Sequence, residues 1–203
     1  IDDGSEDGTG EILDGYCRSD SRMRVLHVPH VGIVEAPMMG IEIAVGEYLC
    51  RMDSDDVSHP ERLEQQIAYL ESHPEIALCG CRVGHMGITA GKGRLRYLDW
   101  INAILDPEDV WRELFVECPI AHPASMMRHE AFEAVGGYQD FGWPEDYDLV
   151  MRFVEADYAM GNVDAELLSW RHSEGRLSMN DERYSLAQFR KLKRHYLGKM
   201  YLD

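Results

Sequence analysis

Residues 40–80 read GIEIAVGEYLCRMDSDDVSHPERLEQQIAYLESHPEIALCG, and they hold most of the evidence for the predicted fold. A strand-like apolar segment over residues 47–52 runs directly into the acidic tetrapeptide DSDD at 53–56. A proline then opens a predicted helix over residues 61–72, because proline is tolerated in a first helical turn. A second apolar segment, residues 76–83, predicts the next strand. The stretch therefore predicts a strand–loop–helix–strand unit with a carboxylate cluster where the first strand ends.

The rest of the chain continues the alternation of strands and helices. The predicted elements are helices over 9–18, 33–45, 107–116, 129–135 and 145–156, strands over 24–28, 124–128 and 158–171, and a glycine-rich loop over 84–93. Such alternation favours an α/β fold with a largely parallel sheet flanked by helices.

Composition limits the class of protein. The 203 residues are 45% hydrophobic, enough for a core, and carry a formal net charge of −17. This acidic excess argues against nucleic acid as a partner, because phosphate binding needs a positive surface. No apolar run is long enough to predict a membrane-spanning helix. The five cysteines form no C-x-x-C pair and are expected to be buried or free thiols, so we expect a cytoplasmic globular protein.

The acids that follow the first strand have two interpretations. Asp53 and Asp55 can share a hard divalent cation and so hold a diphosphate. Alternatively, the segment is an ordinary polar loop in which Asp55 or Ser58 caps the following helix. A calcium-binding loop is disfavoured, because Val57 and Ser58 stand where a ligand and a glycine are needed.

A second pair of acids, Glu145 and Asp146, begins the helix predicted over 145–156. Acidic side chains in a first helical turn complement the helix dipole. A carboxylate at such a loop–helix junction can also project into a cleft and act as a general base. Position alone leaves both interpretations open.

The last residues, 182–203, are basic in an otherwise acidic chain. Their apolar residues recur mostly at spacings of three and four, which predicts an amphipathic helix. The helix is expected to pack on the acidic body of the protein. The alternative is peripheral contact with an anionic membrane surface, at the inner face of the membrane.

Five ordered stretches of this sequence resemble the family-two glycosyltransferases of the GT-A fold. They are IDDGSEDGTGEIL (1–13), the stretch 40–80 quoted above, HPASMMRHEAFEAVGGY (122–138), PEDYDLVMRFVE (144–155) and LLSWRHSEGRLS (167–178). The resemblance implies a GT-A-like domain over residues 1–180, followed by the basic helix at 181–203. It also implies an inverting transfer of sugar from a nucleotide-sugar donor to a saccharide or lipid-linked acceptor, in surface polysaccharide or glycoconjugate synthesis.

The resemblance assigns roles to individual acids. Asp2 and Asp3 match the acidic pair that contacts the nucleotide, and Asp53 matches the acid near the ribose and metal. Asp55 matches the ligand of Mn²⁺ or Mg²⁺, and His172 matches a metal-ligating histidine of the family, one place early in the sequence.

The remaining assignments concern the proton transfer. Asp146 matches the general base that deprotonates the acceptor hydroxyl, and Glu145 lies beside it. A cation that neutralises the departing diphosphate and a base on the opposite side of the sugar form a coherent chemistry.

The sequence also departs from the family. Its opening resembles the end of a strand, so the family's first strand, first helix and most of its second strand are expected to be missing. The segment APMMG (36–40) replaces the usual A-R-N-x-G.

Two hypotheses follow: a metal-dependent glycosyltransferase, or a non-catalytic relic that acts as a binding or assembly module. A bare sheet edge predicts pairing with another chain, as in a homo-oligomer.

Overall fold

The computed structural model describes residues 1–89, 91–173 and 177–202. Part of the predicted loop at 84–93, part of the matching stretch at 167–178 and the last residue of the predicted C-terminal helix lie outside the described residues. The chain divides into two compact units, Ile1–Gly46 and Glu47–Asp203.

The first unit contains two short strands and two helices. Strand β1 (Asp2–Asp3) pairs in parallel with β2 (His27–Val28). Helix α1 (Thr9–Ser19) follows β1, and α2 (Glu35–Glu42) follows β2. Both predicted helices are confirmed, and Pro37 is accommodated because it falls in the first turn of α2.

The second unit holds a five-stranded sheet with the order β3-β6-β5-β7-β4. Its strands are β3 (Tyr48–Cys50), β4 (Val57–Ser58), β5 (Ile76–Gly87), β6 (Met126–Arg128) and β7 (Ala159–His172). The helices are α3 (Arg62–Ser72), α4 (Lys92–Asn102), α5 (Pro107–Glu113), α6 (His129–Ala134), α7 (Glu145–Glu155), α8 (Leu177–Asn180) and α9 (Leu186–Leu202). The predicted α/β class and the C-terminal helix are confirmed.

The strands run parallel in the longest pairing and antiparallel at two short strands. The long β5–β7 pairing is parallel, as is β1–β2. In contrast, β6 is antiparallel to both β3 and β5, and β4 is antiparallel to β7. The sheet described here is therefore mixed, because β6 and β4 are short strands that run against their long neighbours.

Helix α4 was not predicted, and the loop expected over 84–93 is partly strand. Strand β5 continues to Gly87, and its glycines leave space that neighbouring side chains occupy. A Cβ on Gly84, for example, would lie 2.3 Å from a carboxylate oxygen of Glu166. These glycines mark close packing within a strand and do not mark a turn. Beyond the strand, α4 packs Leu98 and Ile101 into a core cluster with β5 and β7.

A buried polar pair, Arg62 and Gln66, joins α3 to the strands. Both side chains are almost fully buried, and Arg62 Nε donates to Gln66 Oε1 at 2.9 Å. A guanidinium nitrogen of Arg62 donates to the carbonyl of Arg51 at 2.8 Å, just beyond β3. Gln66 Nε2 donates to the carbonyl of Ala124 at 2.8 Å, just before β6. One turn of helix thus fixes two adjacent strand ends.

Helix α9 packs on α7, as expected for a basic helix on an acidic body. Tyr196 of α9 is buried, and its hydroxyl donates to Asp148 of α7 at 2.8 Å. Lys199 lies 2.8 Å from Glu155, and Lys193 donates to the carbonyl of Val116. The predicted boundary between residues 180 and 181 stays a prediction. Among the described residues, no helix has both the length and the apolar character needed to cross a membrane.

The Tyr196–Asp148 hydrogen bond gives a stability prediction. Tyr196→Phe should lower the free energy of unfolding by about 1.5–3 kcal/mol, because a buried carboxylate oxygen loses a donor. Urea unfolding measures the change, with Tyr16→Phe as the control, since Tyr16 is 57% exposed. Equal stabilities of the two variants would contradict the packing of α9 described here.

Candidate active site

Three aspartates cluster in the loop between β3 and β4. Asp53, Asp55 and Asp56 each offer a carboxylate oxygen, and these oxygens all lie within 4.8 Å of one another. Asp55 is exposed, Asp53 is half-buried and Asp56 is buried. Carboxylates at this separation suit a hard divalent cation. The structure thus brings together the two predicted acids and adds Asp56.

The end of β7 holds this loop in place. The backbone N–H of Arg171 donates to Asp56 Oδ1 at 2.7 Å, and the Arg171 side chain donates to the carbonyl of Asp55. Within the loop, the N–H of Asp56 donates to the carbonyl of Asp53 at 3.3 Å. Asp56 therefore anchors the loop, and among the described residues no hydrogen bond engages the carboxylate of Asp55. Asp55 is the acid best placed to bind a cation.

Arg51, like Asp56, was not predicted from the sequence. Its guanidinium forms an ion pair with Asp53, and its backbone N–H donates to the carbonyl of Ser125 at 3.0 Å. Alternate residues of an extended segment share a face, so Arg51 and Asp53 are neighbours by register. The sequence signal that could have identified Arg51 is its position. It is a charged residue at the end of an apolar strand, two places before an acid.

The predicted base lies at the start of α7. Asp146 lines a small cavity with His122, Ser125 and apolar side chains, and the N–H of Tyr147 donates to Asp146 Oδ1 at 2.7 Å. Burial raises the pKa of Asp146 to about 6, although the Tyr147 N–H and the Arg51 charge act in the opposite direction. At neutral pH such a carboxylate is ionised and more basic than an exposed one, which suits a general base.

Glu145 occupies a different environment. It is 1% exposed, and the hydroxyl of Tyr184 donates to both carboxylate oxygens at 2.9 and 3.0 Å. Burial, and next the charge of Asp146, raise the pKa of Glu145 to about 7. The residue links α7 to the turn before α9, and its predicted catalytic role beside Asp146 stays a prediction.

His122, in the wall of the Asp146 cavity, is paired with Tyr138. His122 Nε2 lies 2.7 Å from the hydroxyl of Tyr138. Burial, and after it the Arg51 charge, lower the pKa of His122 well below 6.5. Trp143 is buried, and its indole N–H donates to Asp148 Oδ1 at 2.8 Å.

The predicted nucleotide-binding acids organise the first unit. Asp2 Oδ1 accepts from the N–H of Ser5 at 3.0 Å and Oδ2 lies 2.9 Å from His27 Nδ1. Hydrogen bonds from Ser5, and next from His27, lower the pKa of Asp2 to about 2. Asp3 accepts from the N–H groups of Val31 and Gly32. These contacts shape the loops after β1 and β2, and the nucleotide role of both acids stays a prediction.

His172 ends β7, and its ring centroid lies 6.1 Å from that of His85. The acidic cluster found among the described residues consists of three aspartates and does not include His172. Its role as a metal ligand stays a prediction.

A carboxylate cluster beyond one strand and a basic carboxylate at a helix start, on a mixed sheet flanked by helices, are typical of glycosyltransferases of the GT-A fold. The sequence matches the family described as Glycosyl transferase family 2 over residues 1–136, and the chain belongs to that family.

Similar proteins agree with this assignment. AmsE of Erwinia amylovora, an amylovoran biosynthesis glycosyltransferase, is 32% identical over 142 residues, which are 70% of this chain and 51% of AmsE. The structure of S. aureus TarS 1-349 with UDP-GlcNAc has a TM-score of 0.70 at 15% identity, covering 100% of this chain and 57% of TarS. The mannosyltransferase PcManGT from Pyrobaculum calidifontis, with GDP-Man and Mn²⁺, has a TM-score of 0.61 at 14% identity, covering 86% and 47%. The chain thus spans about half the length of these proteins.

The raised pKa of Glu145 predicts a pH-dependent stability. Between pH 4.5, the ordinary pKa, and about 7, the native state holds a proton that the unfolded chain releases. The contribution of Glu145 to the free energy of unfolding should therefore fall as pH rises through this window.

Urea unfolding of wild type and Glu145→Gln across that window measures this contribution as the difference between the two proteins. We expect the difference to decline with rising pH. The exposed Glu130→Gln is the control. A difference that does not change with pH would contradict the buried environment of Glu145.

Proposed function

We propose that this chain is the catalytic part of a metal-dependent, inverting glycosyltransferase. It would transfer a sugar from a nucleotide-sugar donor to an acceptor hydroxyl. The observation that carries the proposal is the cluster of Asp53, Asp55 and Asp56, three carboxylates whose oxygens lie within 4.8 Å of one another. The proposed base, Asp146, lines a small cavity in the same compact unit.

The acidic loop would hold the donor through a cation. Asp55, with Asp53, provides the hard oxygen ligands that Mn²⁺ or Mg²⁺ prefers. When bound, the cation would neutralise the charge of the leaving diphosphate. PcManGT, which is similar in fold, carries Mn²⁺ and GDP-Man, and this supports the choice of metal. His172 and the acids Asp2 and Asp3 remain further candidates for the metal and the nucleotide.

Asp146 would take the proton of the acceptor hydroxyl. Its pKa of about 6 leaves it ionised at neutral pH and retains more basicity than an exposed aspartate has. Attack by the acceptor from the side opposite the diphosphate gives inversion at the anomeric carbon. Two carboxylates in different environments would thereby have different roles: one binds the cation, and the other accepts the proton.

The acceptor is proposed to be a saccharide or a lipid-linked saccharide in surface polysaccharide synthesis; the relative AmsE is named for amylovoran biosynthesis. We further propose a cytoplasmic location with peripheral contact at the inner face of the membrane. Arg190 and Arg194 on the exposed face of α9 support this contact. Pairing of two copies remains part of the proposal.

Metal and nucleotide should stabilise the protein together. At about 100 times the dissociation constant, Mn²⁺ with UDP or GDP should add ~2.7 kcal/mol, which raises the melting temperature by about 5–10 °C. Asp55→Asn should abolish this rise. The exposed Asp99→Asn is the control, and a rise that persists in Asp55→Asn would contradict the cation site.

Loss of the proposed base should lower turnover without weakening the binding of metal and nucleotide. Asp146→Asn should retain the stabilisation by Mn²⁺ and nucleotide, but transfer or slow donor hydrolysis should fall about 10²–10⁴-fold. A screen of UDP-, GDP- and dTDP-sugars identifies the donor for this assay. Turnover that survives in Asp146→Asn would contradict the base, and nucleotide binding without any turnover in the wild type would favour the non-catalytic module.

A further inference from the structure

A second cavity lies at the start of β7, away from the acidic loop. It has a volume of about 210 Å³ and is lined by α5 and by the segment that joins α7 to β7. Strand β7 ends beside the acidic loop, where Arg171 contacts Asp56, and a strand of this length spans roughly 40 Å. The lining residues of this cavity are also different from those of the Asp146 cavity. The cavity is therefore separate from the candidate active site.

An exposed tryptophan, Trp111 of α5, lines this cavity. It is 52% exposed, whereas the chain's other three tryptophans are half-buried or buried. In the part of the chain that the structure describes, no hydrogen bond engages the indole N–H of Trp111. Pro107 and Val110 of the same helix add apolar surface to the lining. An indole has a flat apolar face and one polar edge, which suits a ligand of mixed polarity.

The segment after α7 contributes polar groups from a fixed backbone. Asp157 and Tyr158 line the cavity. The N–H of Asp157 donates to the carbonyl of Val154 at 3.0 Å, and the N–H of Tyr158 donates to the carbonyl of Phe153 at 3.0 Å. The rings of Tyr158 and Phe153 pack with their centroids 5.8 Å apart. These contacts form the Schellman motif that ends a helix, so both residues are held in position by α7.

Asp157 occupies a position at which glycine is favoured. Its φ is 60°, in the left-handed region, where glycine is the least strained residue. A carboxylate beside the C-terminus of a helix is also electrostatically unfavourable, because the helix dipole is negative there. Within residues 1–89, 91–173 and 177–202, neither the exposed carboxylate of Asp157 nor the hydroxyl of Tyr158 forms a hydrogen bond. The fold does not need the Asp157 side chain, which is therefore available to a ligand.

The chemistry of this cavity favours a neutral saccharide. A pyranose ring has a C–H face that packs on an aromatic ring, and hydroxyls at its edge that donate to a carboxylate. The lining residues offer both kinds of contact through Trp111 and Asp157. They include no lysine or arginine, so a phosphate or a nucleotide would meet the negative charge of Asp157 without a compensating cation.

We propose that this cavity is a second saccharide-binding site, in which Trp111 packs against a neutral pyranose ring and Asp157 and Tyr158 bind its hydroxyls. The inference goes beyond the proposed function and does not depend on it, because none of these residues belongs to the acidic loop or to the Asp146 cavity. A saccharide held at the start of β7 would leave the candidate active site unoccupied.

Saturation-transfer NMR and tryptophan fluorescence test the site with the methyl pyranosides of glucose, galactose, mannose and N-acetylglucosamine. At least one of them should bind the wild type with a dissociation constant on the order of 1 mM, as expected for so small a ligand. Trp111→Ala should weaken this binding about tenfold, and Trp111→Phe should retain part of it. Tyr16→Ala is the matched control, because Tyr16 is an exposed aromatic residue outside the cavity.

A second variant separates binding from folding. Asp157→Gly should unfold at the same temperature as the wild type or at a higher one, because glycine is favoured in the left-handed region. It should nevertheless bind the pyranoside about tenfold more weakly, because the charged hydrogen-bond acceptor is lost. This variant keeps the test decisive if Trp111→Ala does not fold.

The outcomes that overturn the inference are specific. One is a wild-type protein that binds none of the four pyranosides, and another is binding that survives in Asp157→Gly and in Trp111→Ala. Binding of tetralysine in place of the pyranosides would assign the cavity to a basic peptide and would also overturn it. Stabilisation by Mn²⁺ and nucleotide should be unchanged in both variants, so failure of this inference and failure of the proposed function are distinguishable.

Discussion

The buried contact of Arg62 and Gln66 with the strand ends is the constraint on which the site depends. These two side chains bind the carbonyls of Arg51 and Ala124, which belong to segments far apart in sequence. Burying a guanidinium is costly unless its donors find acceptors. The contact therefore forms only when the chain leaving β3 and the chain entering β6 are both in place, and the acidic loop and the base pocket begin at these two points.

The division of labour among the acids follows from their surroundings. Asp55 is exposed, Asp56 is held by the backbone of β7, and Asp146 is enclosed beside an apolar wall. The same functional group is thus a candidate ligand, an anchor or a candidate base according to its hydration and its neighbours. Negative charge accumulates in the acidic loop after β3, and the positive charge of Arg51 offsets part of it.

The sequence predicted the features that are local. Strand, acidic loop and helix over residues 47–72 follow from periodicity and proline placement. The mixed strand directions could not be predicted, because they depend on pairings between distant segments. Asp56 was missed for the same reason, since its partner Arg171 lies 115 residues away. The loop predicted over 84–93 was wrong where β5 continues to Gly87, because the glycines of β5, which reflect close packing, resemble those of a loop.

The bond between Asp56 and the end of β7 means that the acidic loop is not a portable motif. A designer who transplanted DSDD to the end of another strand would move the ligands without the β-strand that orients them. The loop would have to travel with β7, and with the parallel partner β5 that supports it. A substitution that displaces β5 or β7 would therefore disturb the acidic cluster, although neither strand contributes a carboxylate to that cluster.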